Sequence, residues 1–195
     1  MYDWTEYMHF FSPFSQDMDL RTGLGLQEIR DLPEDSLHWA YETLVPSEYR
    51  LPDTFWVRYD KAKQSIGLRA CLLLWVLSNF EVLPREFQVT ATIAIMSGED
   101  SLIDVGAGAG KTLCMILPCL LSPSTIAIVF SPLKHLQSVQ VLNFARYGIK
   151  AIAINKDTPN DPVLWKVCLC RLFVLDCCDL FEAFRVSAML NIRFS

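Results

Sequence analysis

From residue 101 onward, short apolar runs alternate with longer helix-like ones. The strand-like runs fall at 101–105, 125–131, 150–155 and 171–175, and the helix-like runs at 111–121, 133–147, 161–167 and 179–190. Brief apolar strands separated by helices predict βαβ units around a buried parallel sheet, the α/β fold class. Right-handed crossovers would distribute the helices over both faces. Upstream the pattern changes. A helix is predicted over about 60–79, apolar on most of its surface through Leu72–Leu77, and a second follows Pro84, from Glu86 to Met96. In the first 60 residues Pro13, Pro33, Pro46 and Pro52 interrupt any periodicity. That stretch reads as loops and short helices packing on the main domain through Trp4, Trp39 or Trp56. The expected organisation is therefore an extension over 1–60 and an α/β domain over 61–195.

Composition narrows the class. Of 195 residues 52% are hydrophobic and 20% charged, enough apolar surface to offset chain entropy. The apolar stretch Ala70–Leu77 falls far short of the ~20 residues a bilayer span needs. The acidic start (Asp3, Glu6) lacks the basic and apolar regions of a signal peptide. A soluble intracellular protein with no membrane partner is expected, and its seven cysteines, an odd number, are expected to be reduced. Cys168, Cys170, Cys177 and Cys178 lack C-x-x-C spacing and a nearby His, which favours buried thiols over a zinc site. Charge is uneven: residues 1–60 carry twelve acids against four bases, whereas residues 131–171 carry six bases against two acids. Contact with a polyanion belongs to the later segment.

The candidate chemistry lies in Asp104-Val105-Gly106-Ala107-Gly108-Ala109-Gly110-Lys111-Thr112. The phosphate-loop formula G-x-x-x-x-G-K-[ST] is met at Gly110, Lys111 and Thr112, with Val105 at the first glycine position. Small residues at 106–110 let successive backbone N–H groups converge on phosphate oxygens. A helix starting near Lys111 adds its positive end. Lys111 would reach the β- and γ-phosphates and the Thr112 hydroxyl would ligate Mg²⁺. A ligand-free glycine turn gives no reason for Lys-Thr at a helix entrance. A dinucleotide fingerprint would need glycine at Ala109 or Lys111. Asn155-Lys156-Asp157-Thr158 departs from the guanine-reading N-K-x-D at its last position, and no D-x-x-G occurs, so guanine specificity is excluded.

Two further motifs frame the loop: Phe80-x-x-x-Pro84-Arg85-x-x-Gln88 upstream, and Ser131-Pro132-Leu133-Lys134-His135-Leu136-Gln137-Ser138-Val139-Gln140-Val141 downstream. Over about residues 68–167 the set resembles the first motor lobe of RecQ-type DNA helicases of the DEAD/DEAH superfamily. The resemblance implies a three-layer αβα, RecA-like P-loop sheet with a helical and loop N-terminal extension. It implies ATP and Mg²⁺ as cofactors, held by Gly106, Ala107, Gly108, Ala109, Gly110, Lys111 and Thr112, with Arg85 and Gln88 at the adenine. A glutamine amide both donates and accepts, which suits adenine; Pro84 stands where the family usually carries an aromatic residue. Ser131, Pro132, Lys134 and Gln140 would meet a nucleic-acid backbone. The implied activity is 3'–5' DNA unwinding in the nucleus, with weak binding of single-stranded or duplex DNA and a second lobe or partner chain completing the motor.

The water-activating D-E-A-H or D-E-A-D sequence occurs nowhere in the chain. Leu172-Phe173-Val174-Leu175-Asp176 has the form of a Walker B strand, with Asp176 a secondary candidate for Mg²⁺ and Cys177 where the catalytic acid would stand. The expectation is an N-terminal piece of a helicase, divergent after about residue 167, that binds ATP without turning it over alone. The alternative is a small P-loop kinase or a non-catalytic ATP-binding interaction module.

Overall fold

The computed structural model describes residues 25–155 and 172–175. They fall into two compact units, Met1–Ser122 and Pro123–Ser195. The expected helices over 161–167 and 179–190, Trp4, Asp176 and the cysteines at 168, 170, 177 and 178 lie outside the described residues.

The first unit is built on one apolar helix. Its helices are α1 (Leu26–Asp31), α2 (Glu34–Leu44), α3 (Asp53–Trp56), α4 (Lys61–Leu77), α5 (Glu86–Met96) and α6 (Leu113–Leu121). Asp60 starts α4 by accepting the Lys63 N–H on its carboxylate, at 2.9 Å. From Ala70 to Val76 every residue of α4 is buried, as a helix apolar on all sides requires. Helices α1, α2, α5 and α6 pack around it. Polar side chains fasten the ends of the surrounding elements. The Trp75 indole N–H donates to the Leu44 carbonyl at 3.0 Å, and Arg69 donates to the Leu32 carbonyl at 2.7 Å. The Arg50 guanidinium donates to the Glu42 and Val45 carbonyls, satisfying the exposed end of α2. Arg30 donates to the Leu120 carbonyl at 2.7 Å, tying α1 to the end of α6.

Two close approaches define this packing. At Gly67 an added Cβ would lie 2.7 Å from the Trp56 ring and 3.0 Å from Val89, so glycine lets α4 and α5 meet. After α4 the chain turns through Asn79 and Phe80, both at positive φ (54° and 65°), which sets the Phe80 ring edge-on to Trp75 at 6.0 Å. Burial raises the pKa of the Tyr41 hydroxyl, which accepts the Leu51 N–H. Cys71, Cys114 and Cys119 are free thiols, and burial raises all three, Cys119 to about 11.

The second unit holds β1 (Ala127–Phe130), α7 (Lys134–Ala145), β2 (Ala151–Ile154) and β3 (Leu172–Leu175). The strands are parallel in the order β1-β3-β2, with Leu172 level with both Ala127 and Ala151. Helix α7 packs against β2 and β3. Beyond its end at Ala145 the chain turns at Gly148, in the left-handed region at φ 69°, and the Ile149 N–H returns to the Phe144 carbonyl, both side chains being buried.

Two expectations are corrected. The run 101–105 is not a strand: it is extended chain without a paired neighbour among the described residues, and Leu102 is 96% exposed. A strand exists only where its N–H and C=O groups find a partner, and the three described strands pair with one another instead. Trp39 does not pack the N-terminal region onto the rest, being 68% exposed, whereas Trp56 is buried against Tyr41 and Phe55.

Replacing Gly67 by alanine separates helix propensity from packing. Propensity alone would stabilise α4 by about 1 kcal/mol, whereas overpacking costs about 1–3 kcal/mol. The expected outcome is a lower urea midpoint for Gly67→Ala, measured by circular dichroism; a higher midpoint would mean that α4 and α5 are not in close contact.

Candidate functional site

The glycine loop turns because two of its residues take conformations that side chains oppose. Gly108 has φ 78° and Gly110 φ 90°, and at Gly110 a Cβ would fall 2.8 Å from Gln88 Nε2. The Ala109 N–H closes the turn on the Gly106 carbonyl at 3.3 Å. Helix α6 then begins at Leu113, with Thr112 as its N-cap, two residues later than the pattern predicts. The N–H groups of Leu113, Cys114 and Met115 bond the carbonyls of Gly110, Lys111 and Thr112 at 3.0–3.1 Å. The N–H groups of Gly108, Gly110, Lys111 and Thr112 have no backbone acceptor among the described residues. Unpaired donors at the positive end of a helix are what an anion-binding turn requires.

The side chains of two predicted residues, Lys111 and Gln88, bond to this loop. Lys111 Nζ donates to the Val105 carbonyl at 2.7 Å and to the Gly106 carbonyl at 3.0 Å, so the ammonium lies against the start of the loop it follows. Gln88, on the first turn of α5, is 2% exposed. Its Oε1 accepts the Arg85 N–H at 2.8 Å, capping α5, while its Nε2 donates to the Gly110 carbonyl at 2.9 Å. Arg85 is exposed at the N-cap and Thr112 is half-buried.

The third motif lies in the second unit, at the start of α7. Ser131 is buried, and its Oγ has no hydrogen-bond partner; the same holds for Oε1 of Gln140. Pro132 is exposed and Lys134 opens α7, partly exposed. Sequence reasoning gave Gln137 no role, yet it is fully buried. Its Nε2 donates to the Ser131 carbonyl and its Oε1 accepts from Asn155 Nδ2, each at 2.9 Å, joining the turn before α7 to the end of β2. The signal was a glutamine three residues before Gln140 on one helical face, which periodicity alone assigns to no particular environment.

Residues 85–181 match the DEAD/DEAH box helicase family. The chain is 39% identical over 77 residues to a protein named as an ATP-dependent DNA helicase Q1 in Caenorhabditis briggsae, covering 40% of this chain and 12% of that relative. It is 47% identical over 68 residues to ATP-dependent DNA helicase Q-like 2 of Arabidopsis thaliana, covering 35% and 10%. It is 38% identical over 78 residues to ATP-dependent DNA helicase Q5 of Mus musculus, covering 40% and 8%. Over this stretch the chain is similar to a DEAD/DEAH box helicase domain of the RecQ-like type. The chain spans about one-tenth of the length of the relatives it matches. No solved structure matches it. The match gives the kinase alternative no support. Among the described residues of the helicase segment and its flanks, no cluster of His, Cys, Asp and Glu is placed to hold a metal ion, and no helix is long and apolar enough to cross a membrane.

Gln137 tests the polar link under the third motif. Gln137→Ala leaves the Ser131 carbonyl and the Asn155 amide without this partner. The expected loss is about 1–3 kcal/mol of stability, measured by chemical denaturation; an unchanged midpoint would show that the link is dispensable.

Proposed function

We propose that this chain binds Mg²⁺-ATP on the loop Gly106–Thr112 and a nucleic-acid backbone at the start of α7. It does so as part of the first lobe of a RecQ-like 3'–5' DNA helicase, in the three-layer αβα, RecA-like arrangement. The observation that carries the reading is the loop itself: six N–H groups, all but that of Ala109, without backbone acceptors among the described residues, two left-handed glycines and Lys111 at the mouth of a helix. The donor set fits a polyphosphate, because N–H groups and an ammonium offer hydrogen bonds and positive charge without a competing carboxylate. Bound Mg²⁺-ATP would supply the phosphoryl group and its charge. Gly106, Ala107, Gly108, Ala109 and Gly110 contribute the backbone nest, Lys111 the cation and Thr112 the hydroxyl for the metal, with Arg85 and Gln88 flanking the loop. The names of the relatives support ATP as the nucleotide and DNA as the polymer.

For nucleic acid the support lies in Ser131, whose buried hydroxyl has no partner, at the N-terminus of the 12-residue helix α7. A hydroxyl at a helix N-terminus suits a backbone phosphate, and Ser131, Pro132, Lys134 and Gln140 form the proposed contact. The basic balance of residues 131–171 favours the same polyanion.

A titration of the 195-residue chain with fluorescent ATP in Mg²⁺ tests the nucleotide claim. Binding is expected, and Lys111→Ala should weaken it at least about tenfold, the loss of one charge-assisted contact. An unaffected Lys111→Ala would remove the site from this loop, and equal or tighter binding of GDP would remove the adenine preference. Fluorescence anisotropy tests the polymer. Weak, sequence-independent binding of single-stranded DNA is expected at low salt and should fall as salt rises; no binding at low salt, or binding indifferent to salt, overturns it.

A further inference from the structure

We infer that Gln137 is a positioning residue for the nucleic-acid contact at the start of α7: anchored on Asn155, its side chain holds the Ser131 carbonyl and thereby places the Ser131 hydroxyl. This role rests on the reading of residues 131–134 as a polymer contact and names a residue on which that contact depends. The turn before α7 lacks a backbone donor for one of its carbonyls. Pro132 has no N–H, and among the described residues no backbone N–H donates to the Ser131 carbonyl. Gln137 meets the turn twice. Its backbone N–H donates to the Leu133 carbonyl at 3.0 Å, closing the first turn of α7, and its side-chain Nε2 donates to the Ser131 carbonyl at 2.9 Å.

The chemistry of the three groups fixes their order. A carbonyl only accepts, so Gln137 must turn its amide nitrogen toward Ser131, which leaves Oε1 for a donor. Asn155, just after β2, provides that donor at 2.9 Å. The entry turn, the first helical turn and the end of β2 are thus held to one another at a single buried amide. Ser131 is 2% exposed and its Oγ has no partner. A buried hydroxyl left unpaired is costly, and an incoming phosphate oxygen would satisfy it. Pro132 and Leu133 are exposed, so the surface of the turn begins one residue beyond that hydroxyl. With its carbonyl fixed, Ser131 has little freedom to rotate, and the place from which it offers the hydroxyl is fixed as well. Gln137, fully buried, touches no polymer and acts through Ser131.

A double-mutant cycle separates this role from a general loss of stability. The full chain, Ser131→Ala, Gln137→Met and the double variant are titrated with a fluorescent single-stranded oligothymidylate over a salt series, each below its unfolding midpoint. Methionine keeps roughly the length of glutamine and makes neither bond. Each single substitution is expected to weaken binding about tenfold, the loss of one hydrogen bond to a charged group. The double variant should bind as weakly as Gln137→Met alone, because both changes remove the same contact. The slope of affinity against salt should not change, since no charged group is removed. Losses that multiply in the double variant, or unchanged affinity in Gln137→Met, overturn the inference and leave the nucleic-acid reading standing. Absence of binding to the wild-type chain, or an unaffected Ser131→Ala, removes the contact itself and the role of Gln137 with it. If Gln137→Met does not fold, Asn155→Ala takes its place in the cycle by removing the anchor. Its loss of affinity should be smaller and should vanish in the Ser131→Ala background; no loss, or one that persists there, overturns the inference.

Discussion

At Gly67 the backbone of α4 passes so close to Trp56, Val89 and Ile93 that no side chain fits between them. Because α5 rests there, its first turn, with Arg85 and Gln88, has a fixed place relative to the buried core of α4. Gln88 reaches from that turn to Gly110, and Gly110 begins the hydrogen bonding of α6. A helix-to-helix approach that needs glycine is thereby connected, through one amide, to a loop that also needs glycine. The two glycines act differently. Gly67 sits inside a helix, where glycine costs about 1 kcal/mol relative to alanine, and that cost is offset by close packing. Gly110 supplies a left-handed conformation and room for a polar contact.

Helices α4, α5 and α6 were legible in the sequence to within about two residues because their boundaries are local chemistry, whereas α1, α2 and α3 were read only as unspecified short helices. Asp60 caps α4, and Pro84-Arg85 followed by Gln88 starts α5. The glycine turn was legible for the same reason, as a run of small residues before Lys-Thr. The link between Gln88 and Gly110 was not, because it joins positions 22 apart and depends on how α5 and α6 pack on α4. The strand expected at 101–105 failed on the same ground: an apolar run supplies the tendency to extend, and only a neighbouring backbone makes it a strand. Trp39 shows the limit of reading burial from residue type, since its size says nothing about which side of α2 meets the core.

In the second unit two glutamines of α7 face inward. Gln137, Gln140 and Phe144 are buried, while Leu133 before the helix and Leu136, Val139 and Leu142 on it are substantially exposed. A hydrophobic ranking would orient this helix the other way. The reason for the observed orientation is local to its N-terminus, where the Ser131 carbonyl and Asn155 need partners and Gln137 supplies both a donor and an acceptor. The family resemblance located this motif, and the hydrogen bonds explain its local shape.

The Lys111 ammonium, engaged with the carbonyls of Val105 and Gly106, imposes a threshold on whatever competes for it. A newcomer must offer acceptors better than two neutral carbonyl oxygens. Hydrogen bonds to ionised oxygens are roughly twice as strong as neutral ones, so a chain of phosphates exceeds the threshold and a sugar hydroxyl or an amide does not. On the proposed reading of the loop, the lysine would discriminate by charge density before any shape is tested, and weakly charged solutes would gain nothing by displacing it.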